Sequence, residues 1–217
     1  YATFMAKPMM AEPGSAMHIH QSVVDARTGR NIFADRKGRH TEAFLSYIAG
    51  LQRYTPELIS LYAPNVNSYR RLAPDIAAPI NLNWGVDNRT TAFRVPHAEP
   101  ENTRIENRFP GADVNPYLAL AVMLRAGLDG IDHQVDPGPP VNKNIYKMSH
   151  RERRHLRIDD LPANLSEALD ELEKDTLVKE TLGDHIFNHF LDAKREEWDE
   201  YIRHVSPWEM DRYLGVY

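Results

Sequence analysis

The sequence predicts an α+β fold in which short strands and longer helices are mixed along one chain. Residues 80–84, 91–95 and 104–109 are interpreted as strands because apolar and polar side chains alternate along them. Residues 41–54 repeat apolar side chains at steps of three and four, which is the spacing of an amphipathic helix. Residues 184–204 show a second stripe of this kind. The two periods together indicate strands packed against helices.

The first elements are short and lie close together in sequence. A strand is expected around Met17–His20, followed by a turn at residues 25–29 and an extended segment at residues 31–33. Thr41 is placed to cap the helix that follows, since a hydroxyl can accept from the first free backbone N–H groups. Pro56 is expected to stop or restart that helix.

The second half of the chain is expected to be more helical. The Pro- and Asn-rich residues 63–79 form a long loop, and loops of that length are often functional. Residues 115–127 begin with Asn-Pro and form a helix. We therefore expect a sheet with loops over residues 1–135 and a helical tail over 136–217. The charged run at residues 194–197 is interpreted as a solvated face of that tail.

The composition excludes several classes of protein. With 217 residues the chain fits one large domain or two small ones, and 42% hydrophobic and 26% charged residues are ordinary for a globular protein. The formal net charge of -5 argues against a nucleic-acid surface. The chain has no cysteine, which excludes disulfides and thiol nucleophiles. No apolar run reaches the length of a membrane span, and we expect a cytoplasmic protein without a membrane partner.

Two histidines one residue apart are the first candidate for a functional site. On a strand, His18 and His20 point to one face while Met17 and Ile19 point to the other. Imidazoles are common ligands of divalent metals. The alternative is a pair of hydrogen-bonded histidines on a half-exposed strand, and the pattern alone leaves both interpretations open.

A strand with three charged residues on one face is the second candidate. Arg104, Glu106 and Arg108 alternate along it, and three charges on a half-buried strand are costly unless they meet partners or ligands. Arg89 and Arg94, on the preceding strand, add two guanidinium groups. An ordinary ladder of salt bridges would explain the spacing equally well.

The residue types in these segments favour phosphoryl transfer to a carboxylate. Arginine is suited to phosphate and carboxylate oxygens, because its planar fork donates two parallel hydrogen bonds. A glutamate with a histidine suits Mg²⁺ or Mn²⁺. The sequence contains neither a glycine-rich phosphate loop nor a kinase signature.

Five motifs in a fixed order then identify a resemblance that covers most of residues 1–130. They are residues 7–20, 65–72 (Asn-Val-Asn-Ser-Tyr-Arg-Arg-Leu), 88–90 (Asn-Arg-Thr), 104–110 (Arg-Ile-Glu-Asn-Arg-Phe-Pro) and 115–119 (Asn-Pro-Tyr-Leu-Ala). Together they resemble the C-terminal half of the glutamine synthetase family, whose C-terminal helices the tail is also similar to. The resemblance implies a catalytic domain with a curved antiparallel sheet flanked by helices.

The resemblance implies a role for each matching residue. His18 would ligate one catalytic cation, Mg²⁺ or Mn²⁺, and Glu106 the other. Glutamate would be held at Gly14, with Arg71 on its α-carboxylate and Arg108 at the γ-carboxyl or phosphoryl end. The nucleotide or its phosphates, with ATP as the cofactor, would meet His20, Ser22, Arg89, Arg94 and Arg104. The catalytic candidates among these residues are Arg71, Arg89 and Arg108.

The implied reaction is phosphorylation of the γ-carboxylate of glutamate by ATP, after which a nitrogen nucleophile displaces phosphate. Ordinary members of the family carry a glutamate in the flap after the Arg-Leu pair, where this chain has Ala77, and an asparagine where it has Pro13. These departures, together with residues 84–90, resemble the γ-glutamylpolyamine branch, typified by γ-glutamylputrescine synthetase. Asp75 could replace the missing carboxylate, or it could be a solvated loop acid.

Our hypothesis is therefore a fragment of a ligase that joins glutamate to a primary amine, such as putrescine. In the family the N-terminal domain and most metal-binding glutamates lie upstream, and a neighbouring subunit completes the site. We expect a homo-oligomeric parent and a 217-residue chain that folds but does not ligate on its own. The alternatives are a glutamine synthetase that uses ammonia and a catalytically silent relative with a structural role.

Overall fold

A four-stranded sheet and the helices packed against it form the α+β fold that the sequence predicts. The structure is a computed structural model that describes residues 2–73, 78–149, 151–152 and 161–216. The strands are β1 (Ile19–Gln21), β2 (Trp84–Val86), β3 (Phe93–Val95) and β4 (Ile105–Asn107). The α-helices are α1 (Glu42–Tyr62), α2 (Pro116–Asp132), α3 (Leu165–Leu172), α4 (Thr176–Arg203) and α5 (Pro207–Tyr213).

The strands lie in the order β1-β4-β3-β2, which places β4 between β1 and β3. Both pairings of β4 are antiparallel, as expected. His20 lies opposite Glu106 across β1 and β4, and Arg94 lies opposite Glu106 across β3 and β4. Three strands therefore carry their polar side chains to one place on the sheet.

The pairing of β2 with β3 is parallel, and the expectation of an antiparallel sheet was wrong at this point. Parallel neighbours need a connection that returns to the starting end of the first strand. Because each strand has three residues, the return is only about 10 Å long. Residues 87–92 make it, with Asp87 at a positive φ of 47° and the Asn88 side chain accepting from Thr90.

Helix α1 continues through Pro56, so the prediction that this proline stops or restarts the helix was wrong. A proline inside a helix costs about 3 kcal/mol through the lost hydrogen bond and a steric clash. Buried side chains on both sides of it, including Leu51, Leu58 and Ile59, offset that cost, at roughly 1.5–3 kcal/mol each. The start was predicted correctly, because Thr41 accepts from the backbone N–H of Phe44.

Helices α1 and α2 pack closely enough that their backbones touch. A Cβ atom on Gly50 would collide with the carbonyl oxygen of Ala126, and one on Gly130 would collide with that of Ser46. Helix α2 begins at Pro116 with Asn115 as its cap, as predicted, but extends beyond Gly127 to Asp132. The core joins these helices to the sheet through buried residues such as Phe93.

Helices α3, α4 and α5 lie in the predicted tail from Leu165 onward, and α4 is interrupted at Gly183 by a positive φ of 74°. The part of α4 after Gly183 matches the helix predicted over residues 184–204. The charged run at residues 194–197 is not simply a solvated face. Arg195 pairs with Asp170 and Glu173, and two other members of the run contact residues 65–66.

The long loop at residues 63–79 contains a 3-10 helix, Val66–Arg70, whose backbone leads directly into Arg71. The predicted flap residues Asp75 and Ala77 lie outside the described residues. None of the helices among the described residues combines the length and the apolar character that a membrane span requires.

Glu57 on α1 gives a testable prediction about stability. Burial, together with the nearby acids Asp175 and Glu171, raises the pKa of the Glu57 carboxyl, and its Oε2 is buried with no hydrogen bond to the described residues. A raised folded-state pKa means that stability is lost as the pH rises from the ordinary value of 4.5 through the folded value. Glu57→Gln removes the charge, and we expect it to raise Tm by about 2 °C at pH 7.

The same measurement contains its own control. The difference in Tm between Glu57→Gln and the parent chain should disappear below about pH 4, where both side chains are neutral. Glu171→Gln removes a neighbouring acid that is paired with Lys174 at 2.7 Å, so it should not raise Tm to the same extent. An unchanged or lower Tm for Glu57→Gln at pH 7 would contradict this explanation.

Candidate active site

The candidate active site is built around the carboxylate of Glu106, in the middle of β4. Its Oε1 lies 3.0 Å from His18 Nδ1 and 2.8 Å from an Arg108 nitrogen, and its Oε2 lies 2.7 Å from an Arg94 nitrogen. We define the Glu106 cluster as this carboxylate and the five side chains around it: His18, His20, Arg94, Arg104 and Arg108.

The electrostatics of the cluster keep Glu106 ionised. Burial on its own raises the pKa of the Glu106 carboxyl, since only 5% of the side chain is exposed. Hydrogen bonds from His18 and Arg94 and the charge of Arg108 outweigh burial and hold that pKa well below its usual range. The cluster is therefore a fixed negative charge surrounded by a larger positive charge.

The predicted alternation on β1 is present in the structure. His18 and His20 are exposed on one side, while Ile19 is buried and Met17 packs against the core. Arg104 Nε donates to His20 Nδ1 at 3.2 Å. Burial lowers the pKa of His20 and the charges of Arg104 and Arg94 lower it further, against the opposing effect of Glu106. His20 is therefore favoured in its neutral form, with Nδ1 as an acceptor.

Arg94 and Arg108 are held in place from more than one side. Arg94 also pairs with Asp87 at 2.8 Å, and Arg108 approaches His18 Nδ1 at 3.4 Å. In both arginines the Nε atom is buried and has no acceptor among the described residues. A buried donor without an acceptor is costly, so these guanidinium groups have capacity for an anionic ligand.

The donor set also fits part of a divalent metal site. His18 Nδ1 and Glu106 Oε1 are 3.0 Å apart, and neighbouring ligand atoms of one octahedral Mg²⁺ lie about 3 Å apart. The resemblance assigns His18 to one catalytic cation and Glu106 to the other, and that assignment stays a prediction. No group of three or more ligand-type side chains occurs among the residues described, so these residues do not form a complete site.

Arg71 reaches the site region from the end of the 3-10 helix. Its guanidinium donates to the carbonyl oxygen of Phe109, two residues after β4, and the residue is only 3% exposed. Burial lowers the pKa of Arg71 to about 10, so the side chain stays charged at neutral pH. Gly14 packs against it, since a Cβ there would lie 2.9 Å from Arg71 Cγ and 2.8 Å from the Ala6 carbonyl oxygen.

Two predicted site residues, Arg89 and Ser22, lie outside both the cluster and the contact of Arg71 with Gly14. Arg89 is exposed in the turn between β2 and β3, and its guanidinium forms no hydrogen bond or ion pair with the described residues. Ser22 is exposed just after β1. Their predicted contacts with the nucleotide or its phosphates therefore stay predictions, whereas His18, His20, Arg94, Arg104, Glu106 and Arg108 are brought together.

Two acids that organise this region, Asp113 and Asp87, were not among the predicted site residues. Asp113 Oδ2 accepts from Ser68 Oγ at 2.6 Å and from Asn65 Nδ2 at 2.9 Å, which fixes the segment before Arg71. Asp87 holds the outer side of Arg94. Each is an isolated loop acid in sequence, and the only signal for Asp113 is its place between the motifs at residues 104–110 and 115–119.

Comparison with known proteins establishes the family. Residues 1–213 match the family described as glutamine synthetase, catalytic domain. The chain belongs to the glutamine synthetase family. The resemblance found in the sequence is thus confirmed at the level of the family, and nothing in the comparisons points to the polyamine branch.

Individual glutamine synthetases and solved structures agree with this placement. Glutamine synthetase of Methanosarcina mazei is 45% identical over 218 residues, which cover 100% of this chain and 48% of that protein. Glutamine synthetase of Thermus thermophilus is 44% identical over 219 residues, covering 100% and 49%. The structure of GmaS without ligand matches with a TM-score of 0.85 and 34% identity, covering 98% of this chain and 48% of that one.

A second structure, a complex of GmaS with ADP, also gives a TM-score of 0.85, at 32% identity over 98% of this chain and 49% of that one. The chain therefore spans about half the length of the relatives that it matches. The matches place the chain within the catalytic domain of this family.

Proposed function

We propose that this chain is the C-terminal portion of an ATP-dependent ligase that phosphorylates the γ-carboxylate of glutamate and joins it to an amine. The observation that carries the proposal is the Glu106 cluster, in which a buried carboxylate is held by two arginines and a histidine. A net positive pocket of this kind stabilises the charge that develops on a transferred phosphoryl group. The GmaS complex with ADP supports the assignment of a nucleotide.

Different residues of this chain would bind different parts of the substrates. Arg108 and Arg94, whose Nε atoms are buried without an acceptor, would neutralise phosphoryl oxygens. Arg71 would hold the α-carboxylate of glutamate, next to Gly14. His20, Ser22, Arg89 and Arg104 would contact the nucleotide. Two divalent cations, Mg²⁺ or Mn²⁺, one held by His18 and the other by Glu106, would supply Lewis-acid polarisation of the phosphoryl oxygens.

The complete protein is proposed to be a cytoplasmic homo-oligomer whose active sites are shared between subunits. His18 and Glu106 supply at most part of a metal site, so further ligands would come from outside the described residues. The 217-residue chain alone should therefore fold without showing ligase activity. Robust ATP-dependent amide formation by the isolated chain would contradict the shared-site proposal.

For the acceptor we propose a primary amine, such as putrescine. The argument is Ala77, which stands where ordinary family members carry a flap glutamate. Without that carboxylate an ammonium site loses an attractive charge and a base, while the smaller side chain leaves room for a carbon chain. The second candidate is ammonia, which the name of the curated relatives favours.

A panel of amines, with phosphate release as the readout, distinguishes these acceptors in the full-length protein. We expect kcat/KM for putrescine to exceed that for ammonium by roughly tenfold or more, because pocket groups discriminate by that factor. Ala77→Glu should lower this ratio by restoring the carboxylate, and Asp75→Asn should leave it unchanged if Asp75 is only a loop acid.

Each result of the panel has a distinct meaning. A ratio that favours ammonium would reject the polyamine proposal and keep the ligase. No turnover with any amine, in a folded protein supplied with ATP and metal, would favour the silent structural relative instead.

A further inference from the structure

Helix α4 reaches across to the segment that carries Arg71, which we call the Arg71 segment (residues 65–71). Lys194 Nζ donates to Asn65 Oδ1 at 2.9 Å and to Glu197 Oε2 at 2.8 Å. Glu197 Oε1 accepts from the backbone N–H of Val66 at 3.0 Å. Both side chains are more than half covered, with 20% of Lys194 and 33% of Glu197 exposed. Lys194 and Glu197, which lie about one helical turn apart, are thus hydrogen-bonded to the first two residues of the segment.

Asn65 transmits this contact to the interior of the segment. Its amide oxygen faces Lys194, while its amide nitrogen donates to Asp113 Oδ2 at 2.9 Å. Ser68 Oγ donates to the same Asp113 oxygen at 2.6 Å and accepts from the Asn65 backbone N–H at 3.0 Å. Because each half of the Asn65 amide has a charged partner, the side chain has one favourable orientation.

The series of hydrogen bonds that begins at Lys194 and Glu197 extends to Arg71. The backbone N–H of Arg71 donates to the carbonyl oxygen of Ser68 at 3.0 Å, so its position follows that of Ser68. Asn67 exchanges two hydrogen bonds with the backbone of Lys7, at 2.8 Å and 3.0 Å, and so ties the segment to the loop that holds Gly14. A shift of Asn65 would therefore move Arg71 and Gly14 relative to the sheet.

We propose that Lys194 and Glu197 are positioning residues for the glutamate end of the active site, acting through Asn65 on Arg71. This inference rests on the proposed function, since it assigns glutamate to Arg71. Neither residue touches the Glu106 cluster, so the nucleotide end should be independent of them. A merely structural role would instead alter stability without separating the two substrates.

The test is Lys194→Met in the full-length protein, which keeps the aliphatic stem and removes the ammonium group. We expect KM for glutamate to rise about tenfold, because a misplacement of roughly 1 Å can cost up to a hundredfold. KM for ATP should stay within about twofold, since no contact reaches the nucleotide end. Lys194→Arg, which can still donate to Asn65, should restore most of the glutamate affinity.

Arg195→Met is the matched control, one residue further along α4. It removes ion pairs to Asp170 and Glu173 at 2.6 Å and 2.8 Å, which join α4 to α3 and do not touch the Arg71 segment. This variant should lower Tm at least as much as Lys194→Met while leaving KM for glutamate unchanged. Equal effects of the two variants on KM would overturn the positioning role.

The remaining outcomes are also decisive. If Lys194→Met does not fold, Glu197→Gln carries the test, because it keeps an acceptor for Val66 and loses the charge facing Lys194. An unchanged glutamate KM in whichever variant folds overturns the inference. A parent protein that neither binds nor turns over glutamate overturns the proposed function, and with it the basis of this inference.

Discussion

Glu106→Gln will lower kcat/KM of the full-length ligase on the order of 10³-fold, as the loss of a preorganised charged group at a reacting phosphoryl group does. Glu106 accepts from His18, Arg94 and Arg108 within 3.0 Å, and glutamine keeps its shape while removing its charge. The substitution leaves Arg94 and Arg108 without their common counter-ion and replaces a charged metal ligand with a neutral amide oxygen. Steady-state kinetics with ATP, glutamate and the preferred amine measure the effect.

The same substitution should also destabilise the fold, and a second substitution separates the two effects. Removing one partner of a buried ion pair costs about 3 kcal/mol, because the other charge stays buried. In the double variant with Arg94→Gln one of the two guanidinium charges that faced Glu106 is also removed. We therefore expect the double variant to lose less stability than the sum of the singles, by roughly 1 kcal/mol or more.

For Glu106→Gln and the double variant, the loss of activity should not be proportional to the loss of stability. The double variant should be at least as inactive as Glu106→Gln alone, because the charged carboxylate is still missing and Arg94 is lost as an anion partner. Asp35→Asn is the control for loss of a paired carboxylate, since Asp35 pairs with Arg39 at 2.7 Å in a surface turn outside the cluster. A Glu106→Gln enzyme that keeps a third or more of its kcat/KM would contradict the proposed site.

The sequence predicted correctly those parts of the site that depend on the alternation of side chains along a single strand. Glu106 and Arg108 share a face because strand residues alternate, and His18 and His20 do so for the same reason. No knowledge of the neighbouring strands was needed. The same is true of the start of α1, where Thr41 caps the helix through a contact three residues away.

The parts that the sequence did not reveal depend on which distant segments meet. The position of Arg94 opposite Glu106 is a matter of strand register, and the parallel pairing of β2 with β3 follows from how residues 87–92 return. Pro56 stays inside α1 because tertiary burial outweighs local preference. Lys194 faces Asn65 across 129 positions of sequence, so a solvated face was the simplest local interpretation.

Arg71→Ala will weaken the use of glutamate far more than the binding of ATP. Loss of a charge-assisted pair costs roughly 2–5 kcal/mol when the partner stays buried, so we expect KM for glutamate to rise by about a hundredfold or more. Arg71 is buried with its Nε atom lacking an acceptor among the described residues, although another guanidinium nitrogen donates to Phe109. KM for ATP should change by less than about threefold, because the residues proposed to contact the nucleotide form no hydrogen bond with Arg71.

Two further variants separate the charge of Arg71 from its packing. Gly14→Ala keeps the arginine but adds a methyl group 2.9 Å from its Cγ, and the resulting displacement should raise KM for glutamate in the same direction. Arg70→Ala removes the neighbouring guanidinium, which is exposed and, within the described part of the chain, donates only to Tyr201 at 3.5 Å. This variant should leave both KM values unchanged. If Arg71→Ala instead lost affinity for ATP and kept its KM for glutamate, Arg71 would belong to the nucleotide end of the site.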